Sequence, residues 1–501
     1  MRNAVQLIAY VDRLAGDLSG VKSLLSNEFS GLFGGIHLLP YFTPFDGADA
    51  GFDPADHLSV DERLGDWDSL RALSQQIYVM SDLIVNHVSA ESRQFQDVMR
   101  RGDKSEFWEL FLKRSDVFPD ESSLKDIDKV YRPRPGSPFT TITLENRTSH
   151  EFWTTFSSQQ LDINVECTSG RAYLESILQK FAESGVQGIR LDAAGYAIKR
   201  RGTECFMLPE TYDFIESLRE AAAEHNMDVL VEIHSHYQTQ IDIAKRVSWV
   251  YDFALPPLVL HTLFTGDTSA LKKWFSISPR NCITVLDTHD GIGIVDAAGD
   301  GERAGLLNDS QIEELVVQID IRTEGHSRLA SGQAASNLDI YQVNTTFHDA
   351  LGRSDKLYLL ARALQFFAPG VPQVYYMGLL AGENDTQLLE KTGVGRDINR
   401  HYYTSEEIRA ALQKPVVQSL LAMIRLRNSA RGFQGEFDMP DCTSEQLHMR
   451  WQMEHDSIEL NIDLTKASGI ITQREGGLVR QYTVSDTFDE VLEKNTQGLG
   501  K

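Results

Sequence analysis

GIRLDAAGY, residues 188–196, sets Arg190 and Asp192 inside an otherwise apolar run. In a β-strand, residues i and i+2 point to the same face. Both charges would therefore share one environment, and burying an unpaired charge is costly. The pair requires either a partner network or a chemical task.

Similar runs recur along the chain at AVQLIAY (4–10), GGIHLLP (34–40), YVMSDLIVNH (78–87), VQGIRLDA (186–193), DVLVEIHS (228–235), VYDFALP (250–256), CITVLDTH (282–289) and GVPQVYYM (370–377). They are continuous in Val, Ile, Leu and Tyr rather than alternating, as strands covered on both faces tend to be. Eight such runs separated by helix-length segments predict an α/β fold, a (β/α)8 TIM barrel. An open doubly wound sheet is the competing architecture, but no glycine-rich phosphate loop follows the first strand.

Two connections are too long for one helix and read as insertions on the rim, where strand-to-helix loops grow. The expected division is a barrel at 1–85, 168–291 and 353–432, with rim insertions (B and B′ type) at 86–167 and 292–352. Beyond residue 432, short pieces such as LHMRWQM and SIELNID predict a small all-β domain over 433–501.

The formal charge of −24, from 48 basic and 72 acidic residues, argues against nucleic acid or an anionic membrane as partner. No apolar stretch is long enough to span a bilayer, and MRNAVQLIAYVDR turns polar too soon for a signal peptide, which favours the cytoplasm. The four cysteines, Cys167, Cys205, Cys282 and Cys442, form no CxxC pair and read as free thiols. Neither H-E-x-x-H nor a D-x-D-x-D-G run is present, so no metal and no organic cofactor are expected.

Polar residues break the apolar runs mainly at their C-terminal ends: Asn86-His87, Arg190-x-Asp192, Glu232-x-His234 and His289-Asp290. In a barrel these ends converge on one mouth. The chemistry that needs this set is glycosyl transfer with retention, in which one carboxylate attacks and a protonated carboxyl serves as acid, then base. Asp192 suits the nucleophile, because Arg190 on the same face would keep it ionised. Glu232 suits the acid/base, because an apolar strand favours the protonated carboxyl. Asp290 would stabilise an oxocarbenium-like transition state.

The segments DLIVNH, GIRLDAAGY, LVEIHS and VLDTHD resemble, in order and spacing, the four short regions of the α-amylase superfamily, glycoside hydrolase family 13. Within it the chain is similar to the sucrose phosphorylases. The further stretches that carry this likeness include LLPYFTPFDGADAGFDPADH, YRPRPGSPFT, LDTHDGIG, NLDIYQVN, PGVPQVYYMGLLAGEND and GRDINRHYY. The resemblance implies a hexosyltransferase of phosphorylase type. It would convert sucrose and inorganic phosphate to α-glucose 1-phosphate and fructose, as a monomer or homodimer. It also implies a glucosyl subsite of Asp49, Phe52, His87, Arg190, His289 and Arg400. A second subsite, for fructose and phosphate in turn, would comprise Arg134, Tyr196, His234, Asp339, Tyr341 and Gln342, with Arg134, His234 and Tyr341 on the phosphate. The family further suggests that the NLDIYQVN loop moves, withdrawing Asp339 before the dianion binds.

Arg132 and Arg134 sit in a proline-stiffened segment suited to preorganised phosphate binding. Asp339 should disfavour an anionic acceptor, which supports neutral fructose. Lys199, Arg200 and Arg201 read as a solvated helix face. The alternatives are a related phosphorylase acting on sucrose 6′-phosphate, glucosylglycerol or glucosylglycerate, or a sucrose hydrolase or transglucosidase of the same fold.

Overall fold

The computed structural model describes residues 1–45, 50–132, 136–332 and 342–491. Eight parallel strands close into a barrel: β1 (Gln6–Ala9), β2 (Gly35–Leu38), β3 (Tyr78–Ile84), β4 (Gly188–Asp192), β5 (Asp228–Val231), β6 (Trp249–Asp252), β7 (Cys282–Thr284) and β8 (Val371–Tyr375). Neighbours in the barrel are neighbours in sequence, and β8 returns to β1 with Gln373 opposite Gln6. Each apolar run read as a strand forms one. The strands are shorter than the runs, however. Asn86, Glu232, His234, His289 and Asp290 all lie past the strand ends, on the loops that leave the barrel mouth.

The continuous apolar character follows from burial on two sides. Val79, Leu83, Val229 and Val231 point outward into the main core beneath the helices. Met80, Leu230, Tyr251, Ile283 and Val371 fill the inside. Above them, inward positions turn polar. Tyr251 donates to Gln373 Oε1 (3.1 Å) and lies 3.4 Å from His37 Nδ1; His37 Nε2 lies 3.1 Å from Asp82, which in turn holds Arg190. This buried column links the barrel floor to the mouth.

A second buried network fixes the loop after β7. Arg362, on the helix Asp355–Phe367, pairs with Asp287 at 2.7 Å and donates to Gln365 Oε1 at 2.8 Å. Gln365 donates to the carbonyls of Thr284 and Gln373, both at 2.8 Å, bridging β7 and β8. Gly378 makes room for this pair, since a Cβ there would fall 2.0 Å from both Arg362 Nη2 and Asp287 Oδ2.

After β3 the chain forms a hairpin, Phe139–Thr143 with Ser149–Trp153, and a short pair, His87–Ser89 with Gln160–Asp162. After β7, Ile292–Gly293 pairs with Gln342–Val343, with the helix Asp309–Arg322 between them. The C-terminal part is a six-stranded antiparallel sheet: β9 (Glu436–Asp438), β10 (Gln446–Met453), β11 (Asp456–Asp463), β12 (Ser468–Glu475), β13 (Leu478–Val484) and β14 (Phe488–Glu490). Trp451 docks it on the barrel by donating to Phe367 O at 2.8 Å. The four cysteines are free; Cys205 and Cys282 are buried, and Cys167 and Cys442 are partly exposed. No helix among the described residues is long and apolar enough to cross a membrane.

Arg362→Met would strand the Asp287 carboxylate in the core, a change expected to cost about 3–5 kcal/mol. A clearly lower urea midpoint is expected, and an unchanged one would remove this pair from the supports of the β7 loop.

Candidate active site

Arg190 is the centre of the site. Its Nη1 contacts Asp82 on β3 and lies 3.1 Å from Asp192 on its own strand; its Nη2 lies 2.9 Å from Glu232 Oε1, just past β5. The strand register sets Arg190 directly beside Asp82. The guanidinium is 2% exposed at its side chain, and its forked donors suit three carboxylates at once.

Asp290 closes the other side. Arg396 lies 2.8 Å and Arg400 3.5 Å from its Oδ1. Arg400 is buried and donates to His289 O at 2.8 Å, and Arg13 donates to Arg400 O at 2.9 Å, so this arginine is locked in place. Burial opposes the Asp290 charge, but Arg396, Arg400 and His234 outweigh it and hold the carboxyl well below its ordinary range.

Phe52 stacks on His289, centroids 4.9 Å apart and planes 9° apart, with Arg190 5.6 Å from its ring centre. Burial keeps His289 neutral, with Arg190 and Arg400 opposing its protonation and Asp290 favouring it. His87 Nε2 lies 2.9 Å from Phe52 O and 3.2 Å from Gln160 Nε2. Beside it, Phe156 bridges the His87 ring (5.2 Å) and Tyr196 (5.1 Å), and Tyr196 continues to Phe206 (4.8 Å). The wall is thus aromatic on one side and ionic on the other.

His234 faces Glu232 at 3.9 Å, bonds Asp296 at 3.0 Å, meets Gln342 at 3.1 Å and stacks on Phe253 at 3.9 Å. Burial opposes its protonation, but Asp296, Glu232 and Asp290 prevail and raise it above the ordinary histidine value. Donor atoms of Glu232, His234 and Asp290 lie within 4.8 Å of one another, a spacing that would also suit a cation. Arg190 on Glu232 and Arg396 on Asp290 already supply the countercharge there.

Of the residues expected in the site, Phe52, His87, Arg190, Asp192, Glu232, His234, His289, Asp290, Gln342 and Arg400 join one connected network, with Tyr196 in its wall. Asp49, Arg134, Asp339 and Tyr341 lie outside the described residues. Arg132, two positions before Arg134 in the sequence, is half-buried, and its Nε and Nη1 have no hydrogen-bond partner among the described residues.

Two expectations need correction. Arg190 does not by itself keep Asp192 ionised. Burial is the largest influence and, with Glu232, Asp82 and Asp290, pushes that carboxyl well above its ordinary range against the pull of Arg190. Lys199 does not lie on a solvated face either. It is buried against Asp162 at 2.8 Å and donates to Asn86 Oδ1 at 3.1 Å, while Arg200 pairs with Glu166 and Arg201 with Asp126 on the surface.

Asp82, Asp296 and Arg396 had not been singled out from the sequence. Asp82 carried a usable signal, a charge inside an apolar strand like that of Arg190 itself. Asp296 sits in a loop and Arg396 in the short 3-10 turn Gly395–Asn399, where a charge carries no such mark.

Comparison with known proteins shows which proteins the chain is similar to. The family model described as the α-amylase catalytic domain matches residues 8–249. A sucrose phosphorylase of Agrobacterium vitis is 54% identical over 475 residues, covering 94% of this chain and 97% of the relative. One of Bifidobacterium adolescentis is 48% identical, covering 94% of each. The crystal structure of a sucrose 6F-phosphate phosphorylase from Thermoanaerobacter thermosaccharolyticum superposes with a TM-score of 0.91 at 36% identity, covering 97% of this chain and 98% of that one.

The raised Asp192 carboxyl carries a sign that stability can test. The folded chain keeps a proton that the unfolded chain releases at its ordinary value, so stability falls as pH rises between those two values. Asp192→Asn should therefore raise the apparent Tm at neutral pH, with the gain closing near about pH 4, where the unfolded carboxyl is itself protonated. A lower Tm at neutral pH would mean that the lost Arg190 pairing outweighs burial.

Proposed function

This chain belongs to the α-amylase superfamily and, within it, to the sucrose phosphorylase family; from that premise we propose that it is a retaining sucrose phosphorylase acting through Asp192, Glu232 and Asp290. One observation carries the reading: Asp192 and Glu232 flank a single buried guanidinium, which keeps them close. A retaining pair, about 5 Å apart, requires such closeness.

In the first half-reaction the glucosyl ring lies against Phe52 and His289. In this reading Glu232 enters as the acid and Asp192 as the carboxylate nucleophile, the division of roles a retaining pair needs. Asp192 attacks the anomeric carbon while Glu232 protonates the departing glycosidic oxygen, releasing fructose and a β-glucosyl ester. Asp290, ionised by its arginines, faces the positive charge that develops on the ring. In the second half-reaction a phosphate oxygen attacks the anomeric carbon, Glu232 accepts its proton, and the Asp192 ester bond breaks. The product is α-glucose 1-phosphate. His234 and, by resemblance, Arg134 and Tyr341 would hold the phosphate. Its advantage over water is positional.

Sucrose is favoured over a phosphorylated or carboxylated acceptor because Asp339 would repel the added charge. Purified protein with sucrose should form α-glucose 1-phosphate only when phosphate is present. Free glucose alone would make it a hydrolase, and no turnover would point to glucosylglycerol or sucrose 6′-phosphate. Asp192→Ala should abolish every transfer. Glu232→Gln should slow glycosylation about 10²- to 10⁴-fold with sucrose, and a leaving group that needs no protonation should partly restore it. Absence of rescue would remove Glu232 from the acid role.

A further inference from the structure

Asp296 is fully buried in the segment after β7, and each of its oxygens has a donor. Oδ2 bonds His234 Nδ1 at 3.0 Å; Oδ1 accepts from the Ser235 amide at 3.2 Å and from Gln240 Nε2 at 2.9 Å. An ionised carboxylate only accepts hydrogen bonds, so the His234 proton on this side must sit on Nδ1. The opposite nitrogen then faces Glu232 and Gln342 in the pocket.

The backbone is shaped around this pair. A Cβ on Gly293 would fall 2.3 Å from Asp296 Oδ2 and 3.1 Å from His234 Nδ1. Phe253 fixes the imidazole plane from one face, with ring planes 15° apart. Together these contacts determine where one ring nitrogen points.

We propose that Asp296 is a positioning residue: it accepts the Nδ1–H of the His234 imidazolium and so aims the ring's other N–H, on Nε2, at the second subsite, as the donor an incoming phosphate meets. This rests on the phosphorylase reading of the site. Among the described residues, the charged groups around the imidazole are Asp296, Glu232 and Asp290, with Arg396 bridging Asp290 and Gln342. The three carboxylates favour the imidazolium, and of these Asp296 is the one that takes no part in bond making. With its Nε2 protonated, the ring donates to a phosphate oxygen.

Asp296→Asn keeps the shape and removes the charge. The KM for phosphate should rise about ten- to a hundredfold, the worth of a hydrogen bond to a charged group. Phosphate-free hydrolysis of sucrose should fall far less. The alkaline limb of phosphorolysis should move to lower pH, because the imidazolium loses its nearest anion. In a His234→Asn background the same change should leave the phosphate KM unaltered. Equal losses of phosphorolysis and hydrolysis with an unmoved alkaline limb, or additive effects in the double variant, would overturn the proposal. Nitrogen-15 NMR of the His234 ring reads its protonation directly in wild type and Asp296→Asn. An unchanged titration there overturns the role of Asp296 whatever the substrate. Absence of α-glucose 1-phosphate from the wild type, with that titration shifted, would instead overturn only the phosphorylase reading.

Discussion

The buried guanidinium of Arg190 is the interaction on which the site depends. Asp82 from β3, Asp192 from β4 and Glu232 past β5 all close on one side chain. A lone cation at that depth would be prohibitively costly, and so would three unpaired carboxylates. Together they satisfy one another, and the geometry of the fork sets where each carboxylate sits. Lysine, a point charge without a planar fork, could not orient three acceptors in this way. The column from Gln373 through Tyr251 and His37 to Asp82 anchors the guanidinium from below.

Carboxylates nevertheless outnumber what one arginine neutralises. That excess, together with burial, pushes the Asp192 carboxyl above its ordinary range. Asp290 escapes the same fate because Arg396 and Arg400 are devoted to it. Two carboxylates within one pocket thus sit in opposite protonation regimes, for reasons that trace to which arginine faces which oxygen.

The barrel was legible because its strands are buried on both faces, and continuous apolar runs survive in the sequence as a plain signal. Arg190, Asp192, Glu232 and Asp290 were legible because a charge within or next to such a run needs a reason. Asp82 meets that criterion too, but its role depends on the strand register, which sets it beside Arg190. Asp296 and Arg396 carry no such mark, since a charge outside the barrel strands is ordinary until the fold brings it to a partner. Lys199 misled for the complementary reason: in a basic cluster it reads as solvated, yet Asp162, thirty-seven positions earlier, buries it. The strand ends were overrun because the apolar character continues past the last ladder hydrogen bond into the mouth.

His289 and His234 show how the pocket is divided. Both are buried and both stack on a phenylalanine. His289 lies between Arg190 and Arg400 and stays neutral, whereas His234 lies among Asp296, Glu232 and Asp290 and favours the cation. A neutral imidazole beside the sugar ring adds no repulsion to the positive charge that grows there in the transition state. A cationic one across the pocket offers nothing to that charge but much to a dianion. One residue type, placed twice, therefore separates the pocket into a half suited to a sugar cation and a half suited to phosphate. What separates them is the neighbours each ring was given, which is why the division belongs to the fold and not to the motif.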